Sequence, residues 1–162
     1  MTTTSSINEL AEIQVYYSTQ NIQKEKINSV QTAYEFLLNS WDIGTLELQE
    51  EFKVILLNRA NEALGIYSLS KGGITGTVVD VRLLFAVALK CNACGIIISH
   101  NNPSGNTKPS DADISLTKKI KKCSDFLDIT LIDHLIITKN VFYSFSSEGM
   151  LTRKCKLIKG TS

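Results

Sequence analysis

A chain of 162 residues with 43% hydrophobic and 20% charged residues can bury one ordinary core, which excludes a disordered or low-complexity chain. The formal net charge of +1 provides no strong field for sequence-independent DNA binding. No apolar run is long enough to span a bilayer, and Met1 to Ser6 lead into no secretory signal, so a cytoplasmic protein is expected.

Residues 1–8 are polar and read as a frayed end. Glu9 to Tyr17 is apolar enough for a strand or a short helix, and Gln20 to Lys26 reads as loop. Ser29 is a candidate N-cap for a helix whose apolar stripe runs through Ala33, Phe36, Leu37 and Trp41. Asp42-Ile43-Gly44 is expected to end it, with Gly44 available for a left-handed cap. Phe52 to Leu57 and Ala63 to Leu69 read as a hairpin around a turn at Asn58-Arg59-Ala60-Asn61. Lys71-Gly72-Gly73 and Gly76 punctuate the stretch beyond the hairpin. Asp80 can cap a helix through Leu83, Leu84, Val87 and Leu89.

Gly95 to Ile98 is short and continuously apolar, as a strand covered on both faces should be. It runs directly into Ser99-His100-Asn101-Asn102-Pro103-Ser104-Gly105, a turn-rich stretch. Ser110 then reads as an N-cap with Asp113 three residues on, in the pattern of a capping box. The helix extends through Ile114, Leu116, Thr117 and Ile120 to about Phe126. Thr130 to Thr138 and Val141 to Phe145 read as strands joined by a tight turn at Lys139-Asn140. The tail from Met150 onward is basic and weakly patterned. Helices between and beside strands imply an α/β layered domain with a mixed sheet flanked by helices.

The chemistry concentrates where the apolar strand meets the capped helix. Catalytic zinc takes three protein ligands and leaves a place for water, and a nearby carboxylate moves the proton. His100 and Asp113 are candidate ligands. Glu47, Glu50 and Glu51 are candidate carboxylates, and Ser110 is a hydroxyl one turn before Asp113. Each has a plainer role: His100 as a hydrogen-bonded strand-end residue, Asp113 as a carboxylate favoured by the helix dipole, Ser110 as a cap only. His134 reads as a structural hydrogen-bonding residue rather than a ligand. Among the four cysteines, Cys91 and Cys94 have CxxC spacing, but with no second pair they read as packing residues, reduced and without metal. Lys118, Lys119, Lys121 and Lys122 read as a solvated helix face, so binding to duplex DNA is expected to be weak and salt-sensitive at most.

The combination of His100-Asn101-Asn102-Pro103-Ser104-Gly105 with Ser110 and Asp113 resembles the JAMM motif of MPN/JAB-domain metalloproteases in its RadC-like form. That pattern is an upstream Glu, His-x-His, seven residues, then Ser-x-x-Asp. Glu50 to Val54, Gly76-Thr77, Leu89 to Ala93 and Asp133 to Ile137 also look RadC-like. The resemblance implies a cytidine-deaminase-like architecture over residues 45–151, with residues 1–44 as an N-terminal extension carrying one helix and 152–162 as a tail. It implies metal ligands at His100, Asp113 and the position of Asn102. It implies Glu50 as general acid/base, with Glu51 the alternative if the alignment slips by one, and Ser110 as donor to the developing oxyanion. The implied activity is a zinc-dependent peptidase or isopeptidase. Asn102 stands where the family has its second histidine. An amide oxygen is a weaker zinc donor than imidazole, so zinc is expected to bind weakly or not at all and the site to be impaired. A non-catalytic interaction module and a DNA-repair-associated accessory protein are the other readings.

Overall fold

A computed structural model describes residues 14–18, 24–72 and 78–151. The order of elements is α1 (Val30–Ser40), α2 (Ile43–Leu46), β1 (Glu51–Leu57), β2 (Ala63–Lys71), α3 (Val81–Lys90), β3 (Gly95–Asn101), α4 (Asp111–Phe126), β4 (Thr130–Ile137) and β5 (Phe142–Ser144). The five strands form one sheet in the order β2-β1-β3-β4-β5. The β3–β4 pair is parallel and the others are antiparallel, so the sheet is mixed and the domain α/β, as the sequence indicates.

Each parallel or antiparallel link depends on the connection available. A short turn joins β1 to β2: the Asn58 side chain accepts from the Ala60 and Glu62 amides, and Asn61 takes φ 58°. Asparagine tolerates that left-handed conformation better than most residues. The parallel β3–β4 pair needs a crossover, and α4 supplies it. Its N-terminus is set by the expected capping box, in which the Ser110 hydroxyl accepts from the Asp113 amide and the Asp113 carboxylate accepts from the Ser110 amide. Asp80 caps α3 through the amides of Arg82 and Leu83.

Alternation along β1 and β3 divides the core into two layers. Phe52, Val54, Leu56, Ile96 and Ile98 face α3 and α4 together with Leu84, Ala88 and Ile120. Ile55, Leu57 and Ile97 face α1 together with Ala33, Leu37 and Trp41. All seven residues of β3 are buried, in keeping with the apolar run of its first four, Gly95 to Ile98.

Some expectations change. Asp42-Ile43-Gly44 does not merely end α1, whose C-cap is Trp41 in extended conformation. The Asp42 carboxylate accepts from the Gly44 amide at 2.9 Å and starts α2, so Gly44 is helical and supplies no left-handed cap. Asp before a short polar stretch reads equally well as a stop or a start. Residues 14–17 have no regular secondary structure, in place of a strand or helix there. The expectations for residues 1–13, 19–23, Gly73, Gly76-Thr77 and the tail 152–162 fall outside the described residues.

Ile98, on β3, is wholly buried in the core layer shared with α3 and α4. Ile98→Ala should cost about 3–4 kcal/mol, read as a lower denaturant midpoint with an unchanged slope.

Candidate functional site

The register of β1 on β3 aligns Phe52 with His100 and Lys53 with Ser99. Side chains alternate, so His100 and Phe52 point to the α4 face, while Glu51 and Lys53 point to the α1 face. Glu51 lies 3.7 Å from the Lys53 ammonium and 3.8 Å from that of Lys71. The Lys53 ammonium also donates to the Ser40 carbonyl at 2.7 Å and sits 4.5 Å above the Trp41 ring. Glu51 therefore belongs to a buried ion pair on the far side of the sheet. Of the three candidate carboxylates ahead of β1 and at its start, Glu50 is the one on the His100 side. It lines a cleft of about 620 Å³ with Phe52, His100, Asn102, Ser110 and Asp113, a size typical of ligand sites. Glu47, the third candidate, does not line it.

The polar groups that share the cleft with Glu50 come from the end of β3, the start of α4 and the loop between them. His100 stands near the end of β3, 5% exposed, with its ring stacked at 6.2 Å on Phe52. Its Nε2 lies 3.5 Å from Asp113 Oδ1. The other oxygen of Asp113 accepts from the Ser110 amide at 2.8 Å and from the Ser110 hydroxyl at 2.6 Å. Asp113 thus has one oxygen committed to the helix cap and one turned to His100. The Ser110 hydroxyl hydrogen is given to Asp113, so donating it to another oxygen requires that bond to be exchanged.

Asn102 lines the same cleft, but its side-chain oxygen is engaged. It accepts from the Ser104 amide at 3.1 Å and from the Ser104 hydroxyl at 2.8 Å. Both lone pairs of the amide oxygen are occupied in closing the Asn102–Gly105 turn, which the Gly105 amide also ties to the Asn102 carbonyl. The donor set is therefore one imidazole nitrogen and one carboxylate oxygen facing each other, with a third position already used by the protein.

Three residues that organise the site are not among the site residues expected from the sequence. Asn101 is wholly buried on the opposite face from His100. Its oxygen accepts from the Glu51 amide at 2.7 Å, and its amide nitrogen donates to the carbonyls of Leu46 and Gln49 at 2.7 and 2.8 Å. It clamps the segment carrying Glu50 against the end of β3. Behind His100, Nδ1 lies 3.1 Å from Nε2 of His134, and His134 Nδ1 lies 2.6 Å from the Thr117 hydroxyl. His134 is wholly buried and stacked at 4.5 Å on Phe145. A polar side chain at the end of an otherwise apolar buried strand is the signal that could have found Asn101. Thr117, one turn after Asp113, has the corresponding helical spacing.

Burial pushes the His134 imidazole well below its ordinary range, with His100 adding to the effect. Burial also lowers His100, against the opposing pull of Asp113. Asp133, adjacent to His134, faces elsewhere: it accepts from the His134 and Ser146 amides and from the Ser144 hydroxyl, and burial raises it.

Cys91, Cys94 and Cys123 are free thiols. Cys91 packs against the α3–α4 core, whereas Cys94 Sγ lies 4.0 Å from the Asn92 carbonyl. Cys155 falls outside the described residues.

The model of the RadC-like JAB domain matches residues 27–150. The chain belongs to the RadC-like JAB domain family. This RadC-like match begins ahead of α1 and ends beyond β5. The chain is 46% identical over 129 residues to a UPF0758 protein of Flavobacterium johnsoniae, covering 80% of this chain and 55% of that protein. It is 43% identical over 103 residues to a UPF0758 protein of Clostridium kluyveri, covering 64% of this chain and 45% of the relative. It is 42% identical over 104 residues to one of Porphyromonas gingivalis, covering 64% and 46%. The RadC-like chain thus spans about half the length of these relatives.

Asn101→Ala should leave three backbone groups without this partner, two of them buried, and destabilise the fold by about 3 kcal/mol. The Glu51 amide should then exchange with deuterium far faster, while amides in the middle of α4 should change only with global stability. A second expectation concerns pH. His100 and His134 have folded values below the ordinary 6.5, so their contribution to stability is present above that value and lost as pH falls beneath it. The thermal midpoint should therefore drop between about pH 7 and about pH 5, and His134→Gln should flatten that slope.

Proposed function

We propose that the cleft is a JAMM-type hydrolase site acting on a peptide or isopeptide bond, with its metal set reduced to His100 and Asp113. The observation that supports this is the 3.5 Å approach of His100 Nε2 to Asp113 Oδ1. Two nitrogen or oxygen ligands on one tetrahedral zinc lie about 3.4 Å apart. The donor chemistry therefore fits zinc at two positions. It does not fit at the third, because the Asn102 oxygen is held by Ser104. Zinc binding in this chain is weak for that reason.

A zinc held by His100 and Asp113 would supply Lewis-acid polarisation of the scissile carbonyl and an acidified water. The chain's own residues do the rest. Glu50, on the cleft wall, takes the proton released by the attacking water and passes it to the leaving amine. Ser110, at the first turn of α4, gives its hydroxyl hydrogen to the developing oxyanion when it is released from Asp113. Phe52 lies parallel to the His100 ring, with centroids 6.2 Å apart, and limits its rotation.

A second reading, a non-catalytic JAB module, rests on one observation: Asn102 is built into the turn. Metal affinity separates the two. The RadC family name suggests a role beside DNA. Here Lys121 is paired with Asp125, and Lys118, Lys119 and Lys122 are solvent-exposed on α4, so only weak, salt-sensitive binding is expected. No helix among the described residues is long and apolar enough to cross a membrane. The cytoplasm is the proposed location.

Calorimetric titration with zinc should give weak binding to the present chain. Asn102→His should bind at least about tenfold more tightly, and zinc should raise its thermal midpoint. His100→Ala should remove the heat altogether. Equal zinc affinity before and after Asn102→His would mean that position 102 does not face the metal, and the hydrolase reading would fall.

A further inference from the structure

We propose that Thr117 and His134 are positioning residues that hold the His100 imidazole with its proton on Nδ1, leaving the Nε2 lone pair aimed into the cleft at Asp113. The consequence for metal rests on the hydrolase reading above; the tautomer itself does not.

The assignment comes from counting hydrogens. The Thr117 hydroxyl carries one. It has two partners at 2.6 Å, the Asp113 carbonyl oxygen and His134 Nδ1. A carbonyl oxygen can only accept, so the hydroxyl hydrogen goes there; otherwise two oxygens would face each other at 2.6 Å with nothing between them. Toward His134, Thr117 Oγ1 must then accept, and His134 Nδ1 must carry a hydrogen.

His134 is 0% exposed and stacked on Phe145, and among the described residues its ring nitrogens meet Thr117 and His100 alone. No carboxylate among them reaches the ring, because Asp133 is committed to Ser144, Ser146 and the His134 amide. A buried imidazole with no counter-ion is neutral, so its Nε2 is an acceptor. The atom 3.1 Å from it is His100 Nδ1, which must therefore donate. His100 Nε2 is left to face Asp113 Oδ1 at 3.5 Å. The chain of bonds begins at the Asp113 backbone carbonyl and returns to the Asp113 carboxylate. The gap in the circuit lies between two lone-pair atoms, which is where a cation fits.

With both rings neutral, the circuit has one alternative. If Thr117 could not accept, His134 would be free to carry its proton on Nε2. His100 Nδ1 would then have to accept, and the His100 proton would move to Nε2, covering the lone pair. The hydroxyl of Thr117 thus sets the state of an imidazole two bonds away.

Long-range nitrogen–proton NMR of the metal-free full chain at about pH 8, where both rings are neutral, reads the tautomers directly. Both imidazoles should show a protonated Nδ1 and a bare Nε2. Thr117→Val should shift both toward protonated Nε2 and weaken zinc binding by about tenfold or more, whereas Thr117→Ser should keep both properties. A merely structural role for Thr117 would lower thermal stability without exchanging tautomers. A wild-type spectrum with the His100 proton on Nε2 overturns the proposal, and so does a folded Thr117→Val chain with unchanged tautomers. Should Thr117→Val fail to fold, the wild-type and Thr117→Ser spectra still decide. Expected tautomers without any zinc binding would refute the hydrolase reading alone. Wrong tautomers with zinc binding intact would refute this proposal alone.

Discussion

The pairing of Phe52 with His100 is the constraint on which the site depends. In a pleated sheet, a slip of one residue exchanges the two faces of a strand. With the observed register, Glu50 and His100 share the α4 face, and Glu51 joins Lys53 on the other. Shifted by one, the strand would present Glu51 and Lys53 to the cleft and bury Glu50 beside Trp41. Three features resist the slip. Phe52, Val54 and Leu56 fit one core layer, Ile55 and Leu57 fit the other, and Asn101 fixes the first residue of β1 through the Glu51 amide. The buried Lys53–Glu51 pair adds a further condition, since breaking it would leave an uncompensated charge in the interior.

The fold is legible in the sequence wherever one local signal dominates. Continuous apolar character marks β3, and Ser110 with Asp113 marks the start of α4, because these depend on nearest neighbours in sequence. Asp42-Ile43-Gly44 misleads because an aspartate beside a glycine satisfies both the stop of one helix and the start of the next. The choice is made by Trp41, which leaves the helical conformation to enter the α1 core layer. That is a tertiary decision with no local trace.

The candidate site is legible as a set of residues and not as a set of bonds. Spacing relates His100 to Asp113, since one strand end and one helix start are adjacent across a short loop. Glu50 against Glu51 requires the sheet register. Spacing does not reveal that the Asn102 oxygen closes a turn on Ser104. Nor does it reveal that Asn101, in the middle of the motif, ties three backbone groups on the opposite face. His134 reads from sequence as structural. Its bonds connect it to the site through His100, where they decide which nitrogen carries the proton.

Asn102 and the relay behind His100 pull in opposite directions. Two neutral imidazoles and a threonine are poor core material compared with aliphatic residues of similar volume. Burial costs each polar ring its hydration, and the compensating bonds return about that cost and little more. Three polar side chains in line behind one lone pair are therefore unfavourable unless that lone pair is used. Asn102, by contrast, costs nothing structurally, because the turn itself satisfies its oxygen. On the proposed hydrolase reading, the departure from the JAMM pattern lies at position 102 alone. His100 Nε2 and Asp113 Oδ1 face each other at 3.5 Å across the cleft, and the proposed relay leaves both lone pairs open to a cation.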